Sequence, residues 1–146
     1  KLMINIPSEV KYLSYAGIVP IFFGLIGSFE FNFINDSINI WFTNFAILFS
    51  ALILSFLGGC LYIFHIILNS KFNKKDIFLS MMPSIWAAIS LQLPMSCFLL
   101  AIGFLGTLEI ERKISKTIKF PYWWFKMRFR LTTAMVILLL IMGLNV

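Results

Sequence analysis

His65 is the chain's single histidine and stands inside a long apolar stretch. An ionisable side chain within a membrane span is a functional candidate by default. One histidine cannot supply two axial haem ligands, and no Cys/His/carboxylate spacing elsewhere completes a metal site. His65 is therefore the one candidate cofactor ligand, set against a packing or capping role one turn from the basic end of its helix. Cys60 and Cys97 stand in apolar runs outside any C-x-x-C pair and read as small buried hydrophobes. Glu30 and Asp36 share one loop, while Glu109 and Glu111 flank a cationic run, so no paired carboxylates point to acid–base work. A Gly-rich phosphate loop, G-x-S-x-G and H-E-x-x-H are all missing. The expectation is no catalytic residue, no metal and no bound cofactor.

The densest chemistry lies between Glu109 and Arg130, where seven basic residues meet two acidic ones. Ile110, Ile114 and Ile118 fall at i, i+4 and i+8 among Arg112, Lys113, Lys116 and Lys119, which predicts an amphipathic helix lying along the headgroups. Pro121 ends it. Tyr122, Trp123 and Trp124 then supply an interfacial aromatic anchor, followed by Lys126, Arg128 and Arg130. Basic residues among aromatics also suit nucleic acid. Beside a membrane helix, the expected counter-charge is instead an anionic lipid such as cardiolipin or phosphatidylglycerol.

These residues have to be positioned by apolar elements. Of 146 residues 60% are hydrophobic and only 12% charged, with a mean hydropathy of +0.94. A soluble domain carries about twice that charged fraction, so the chain reads as an all-α integral membrane protein. Apolar stretches at about 12–29, 41–68, 77–93, 95–108 and 131–146 predict five transmembrane helices in a single domain, with the interfacial segment at about 109–125 before the last span. The third and fourth meet at Gln92-Leu93-Pro94 and form a hairpin. Gly27-Ser28-Phe29 is a poor cleavage site, so the first stretch reads as a retained helix. A start on Lys1 rather than Met is expected of a processed or truncated end.

All twelve basic residues fall in the N-terminal arm, the loop carrying Lys71, Lys74 and Lys75, and the loop before the last span. The positive-inside rule then puts the N-terminus in the cytoplasm or matrix and the C-terminus outside. Small residues recur every four positions at Ala51, Ser55 and Gly59 and at Ser80, Ser84 and Ala88. Such ridges predict close packing of the second and third spans, with hydroxyls bonding across or back along the helix. Pro20 and Pro83 predict kinks.

Several segments resemble a family of small bacterial and mitochondrial membrane proteins of unknown function that includes transmembrane protein 69. They are Leu13-Ser14-Tyr15-Ala16-Gly17-Ile18-Val19-Pro20, Ile53-Leu54-Ser55-Phe56-Leu57-Gly58-Gly59, Met82-Pro83-Ser84 with Trp86, and Phe120-Pro121-Tyr122-Trp123 leading through Met127-Arg128 to Leu131-Thr132. The resemblance implies a bacterial or mitochondrial inner membrane and supplies no activity. The resulting expectation is a non-catalytic accessory subunit of a larger inner-membrane assembly, a respiratory-chain complex first among them, with other membrane subunits and anionic lipids as partners. A small transporter or channel is the alternative, and nucleic acid is not an expected partner.

Overall fold

A computed structural model describes residues 5–29, 35–68, 74–117 and 119–146, with the Leu68 side chain excepted. Lys1, Glu30, Lys71 and Ile118, invoked above, lie outside the described residues. Six helical segments follow one another among those described: α1 (Ser8–Ala16), α2 (Val19–Ser28), α3 (Asp36–Leu68), α4 (Lys74–Gln92), α5 (Ser96–Ile114) and α6 (Tyr122–Asn145). The fold is all-helical, as expected.

α1 and α2 are one apolar rod broken at Gly17-Ile18. Pro20 has no N–H to return to the Ala16 carbonyl four residues back, so the α-helical ladder stops there. The Ile18 N–H instead donates to Tyr15 O over 3.0 Å, a tighter turn, before the Ile18 carbonyl accepts from Phe22 and restarts the helix. Pro83 sits within α4 with its ring buried against α3. The α4–α5 hairpin closes through Leu93-Pro94-Met95, with Met95 in the left-handed region at φ 72°. It is tied by the Trp86 indole N–H, which donates to Leu99 O over 2.7 Å.

α3 lies at the centre, packed against α2, α4 and α5, and α6 closes the bundle against α5 and α2. The core is formed by Ile21, Ala46, Leu54, Leu100, Phe104, Leu139 and Met142. These are seven of thirteen clustered buried hydrophobic residues, which come from α2, α3, α4, α5 and α6.

The small-residue ridges need correction by one position. Ala51 is buried, and Ser55 receives a 3.4 Å hydrogen bond on its carbonyl from Ser84 Oγ, so the two ridges meet at Ser55 and Ser84. Gly59 and Ala88, however, face outward, and a Cβ on Gly59 would meet nothing within 4 Å. The close approach is made by Gly58, where a Cβ would lie 2.9 Å from Ser80 O, and by Ala87 and Ser90 on the α4 side. A 3.6-residue repeat drifts off a strict four-residue spacing within two turns, and the buried face follows the former. Most hydroxyls turn back onto their own helix, as Ser80 does to Ile77 O at 2.6 Å and Ser90 to Trp86 O at 2.7 Å.

The helices also extend beyond the expected spans. α5 continues without interruption to Ile114, and Tyr122 opens α6 rather than following an interfacial helix. Residues 115–117 form only a turn. The separate surface helix at about 109–125 is therefore absent among the described residues; its two halves belong to α5 and α6. Pairing of buried faces on both helices extends each one into the charged region. Three helices are long and apolar enough to cross a membrane: Ser8–Ser28, counted through the α1–α2 break, Asp36–Ile67 and Tyr122–Asn145. α4 and α5, of 19 residues each, rise about 28 Å and carry their charges at one end.

Candidate functional site

The extension of α5 and α6 brings two residues together that the sequence left apart. Along α5 the buried positions are Cys97, Leu100, Ala101, Phe104, Thr107, Glu111 and Ile114, one continuous helical stripe. Along α6 they are Met127, Arg128, Leu131, Thr132, Met135, Leu139 and Met142. Where the stripes meet, Arg128 Nε donates to both oxygens of Glu111, at 3.0 and 3.1 Å, and Nη2 stands 3.0 Å from Oε1. Glu111 is 4% exposed and Arg128 8%. Arg128, expected among the lipid-facing cations, is thus corrected to a buried partner, and Glu111, read in the sequence only as flanking a cationic run, is buried with it.

Beside this pair lies a cavity of about 260 Å³ between α1, α3, α5 and α6. Its walls are apolar (Ile18, Ile53, Leu57, Phe104, Met135), and Leu13 and Phe56 stand at its rim, 75% and 70% exposed. One wall differs. Trp124, Arg128 and Thr132 recur every four residues on α6 and all line the cavity. The Trp124 indole N–H and the Thr132 hydroxyl are buried there without a hydrogen-bond partner, although Thr132 is only 2% exposed. Buried polar atoms normally have a partner. The half-buried Cys60 thiol lines the same space.

A second cavity of about 430 Å³ adjoins it, also between α1 and α6 and sharing Met127 as a wall. This one is basic and aromatic: Lys11 and Tyr15 come from α1, and Tyr122, Trp123, Lys126 and Arg130 from α6. Lys11, Lys126 and Arg130 enter no ion pair among the described residues. The remaining expected cations lie elsewhere. Lys113 is exposed in the last turn of α5, and Lys116 and Lys119 are exposed beyond its end. Arg112 is taken up by Glu109 at 2.8 Å, and this hydrogen bond holds the Glu109 carboxyl below its usual range. At the same end Phe64 packs edge to face on Phe120 and Trp124, with centroids 5.1 and 5.6 Å away, while Phe120 and Trp124 stack on each other.

His65 is 6% exposed, with both ring nitrogens unpartnered, on the face of α3 that carries Leu61 one turn earlier. No group of three His, Cys, Asp or Glu side chains capable of holding a metal exists among the described residues. At the opposite end of the bundle, Ser28, Asp36, Asn39 and Asn145 surround a third cavity, of about 450 Å³. The bundle therefore separates a cationic end from an end whose described lining contains no Lys or Arg.

An all-helical bundle with three helices long and apolar enough to cross a membrane, a buried ion pair and a cleft at its cationic end has the character of a membrane protein. The chain belongs to the family described as protein of unknown function DUF3429, whose model matches residues 6–144. Neither a curated protein nor a solved structure matches it.

Proposed function

We propose that this chain is a non-catalytic subunit of a larger inner-membrane assembly, with a respiratory-chain complex the first candidate. One observation carries the reading. α3 keeps an exposed apolar strip along its whole length, from Ile38 and Trp41 through Phe45, Leu52 and Phe56 to Ile63 and Ile67. Trp41 and Phe45 stack at 5.2 Å, and Phe45 and Phe49 at 6.0 Å, along it. At 1.5 Å per residue the strip measures about 44 Å. Fitting it into a hydrocarbon layer of about 30 Å requires a tilt of roughly 45°, beyond the 0–40° membrane helices adopt. Apolar surface outside the lipid needs another protein to cover it.

In this reading the chain crosses five times, α1 with α2 acting as one span and α4 with α5 as a full hairpin. The cationic end faces the cytoplasm or matrix, against anionic lipid. Extraction in mild detergent, a native gel and mass spectrometry of the bands test it. Stoichiometric co-migration with a large complex is the expected result, and migration alone or as a small homo-oligomer overturns it. A small transporter is the second reading, favoured by the cleft beside buried Glu111 and Arg128; solute uptake by liposomes containing only this chain would decide for it.

A further inference from the structure

The two adjoining cavities differ in character in a way that specifies one kind of occupant. α1 has no buried residue, so it stands off from α3 and α6 and leaves the apolar chamber unfilled. The orphaned Trp124 N–H and Thr132 hydroxyl point to something with oxygen acceptors inside that chamber. The neighbouring compartment offers three unpaired cations and the aromatic side chains Tyr122 and Trp123 at the level where headgroups lie. Only an amphiphile with an anionic head, acceptor oxygens just below it and a hydrocarbon tail satisfies all three features at once.

We infer that the cleft between α1 and α6 is a specific seat for one anionic glycerophospholipid. Its phosphate meets Lys11, Lys126 and Arg130, its ester carbonyls accept from Trp124 and Thr132, and one acyl chain occupies the chamber between Leu13, Phe56 and Phe104. The lipid serves as the packing partner that α1 otherwise lacks. The inference rests on membrane residence, part of the reading above, and not on membership of a larger assembly.

The test is native mass spectrometry of the full chain, purified in mild detergent with equimolar dioleoyl-phosphatidylglycerol and dioleoyl-phosphatidylcholine. One phosphatidylglycerol should remain on the wild type in preference to phosphatidylcholine. Lys126→Gln and Arg130→Gln should each lower that preference roughly fivefold, the effect of one cation at a membrane surface. Lys113→Gln and Lys116→Gln, outside the cleft, should leave it unchanged. Leu13→Trp should remove the adduct by filling the chamber rim, with thermal unfolding confirming an intact fold. Equal retention of the two lipids, or equal losses in the cleft and non-cleft variants, overturns the inference in favour of diffuse surface charge. Displacement by millimolar glycerol 3-phosphate also overturns it, because the tail would then contribute nothing. Assembly membership is read from the native gel, so the two ideas fail separately.

Discussion

Glu111 and Arg128 are energetically the most exacting residues of the chain. Each is more than nine-tenths buried, and each neutralises the other. Taking two ions out of water costs several kcal/mol apiece, and a close pair recovers that only with good geometry. Removing one partner leaves the other charge stranded. Glu111→Gln or Arg128→Met should therefore destabilise the protein by about 3–5 kcal/mol, while Glu111→Leu with Arg128→Met should recover most of the loss. Thermal unfolding in detergent measures both, and a double variant no better than the singles would show that the pair has a further role. The pair was findable in principle. Glu111 continues the Cys97–Phe104–Thr107 stripe and Arg128 the Met127–Leu131–Met135 stripe. Once Pro121 is taken as the end of a surface helix, however, that periodicity is cut on both sides.

Among the elements, the tightest contacts are made by glycines. A Cβ at Gly24 would fall inside the Ala46 methyl, which brings α2 directly onto α3. At Gly103 a Cβ would lie 2.6 Å from Leu54 Cδ2 and 2.7 Å from Trp86 Cδ1. Gly103→Ala should thus force α5 away from α3 and α4 and cost about 1–3 kcal/mol by overpacking. Gly59→Ala and Gly106→Ala meet open space and should raise stability by about 0.5–1 kcal/mol through helix propensity. Unfolding midpoints of the three variants separate the two groups, and a neutral Gly103→Ala would mean that α5 does not pack this closely on α3 and α4. Trp86→Phe should lose about 1 kcal/mol by freeing the Leu99 carbonyl it holds. The composition shows that small residues must meet; which of two adjacent glycines, Gly58 or Gly59, meets α4 depends on the rotation of α3, and neighbouring helices set that.

For the whole molecule the governing facts are sidedness and length. Lys11, Lys126 and Arg130 converge at one end while Ser28, Asp36 and Asn145 converge at the other. In the proposed five-span reading the hairpin turn at Leu93, between α4 and α5, stands on the face of the membrane opposite Lys116. Single cysteines at Leu93 and Lys116, in a background with Cys60 and Cys97 replaced by Ala, should label from opposite sides in intact cells or sealed vesicles. Labelling from one side would remove the five-span topology and leave three crossings, the number of helices whose length and composition suffice alone.

The sequence by itself determined an all-helical chain with helices apolar enough to cross a membrane, because a low charged fraction and long apolar runs are properties of composition that need no neighbour. It also determined the hairpin at Pro94 and the break before Pro20, because a missing N–H is a local fact that needs no neighbour. The segregation of Lys and Arg into three segments was legible in the same way. Tertiary structure alone decided the fate of the individual charges. Arg128 and Arg130 are two residues apart on one helix, yet one is buried against Glu111 and the other stands free at the cleft. A helix turns by about 200° between such positions, and only the packing of α6 against α5 says which of them faces inward.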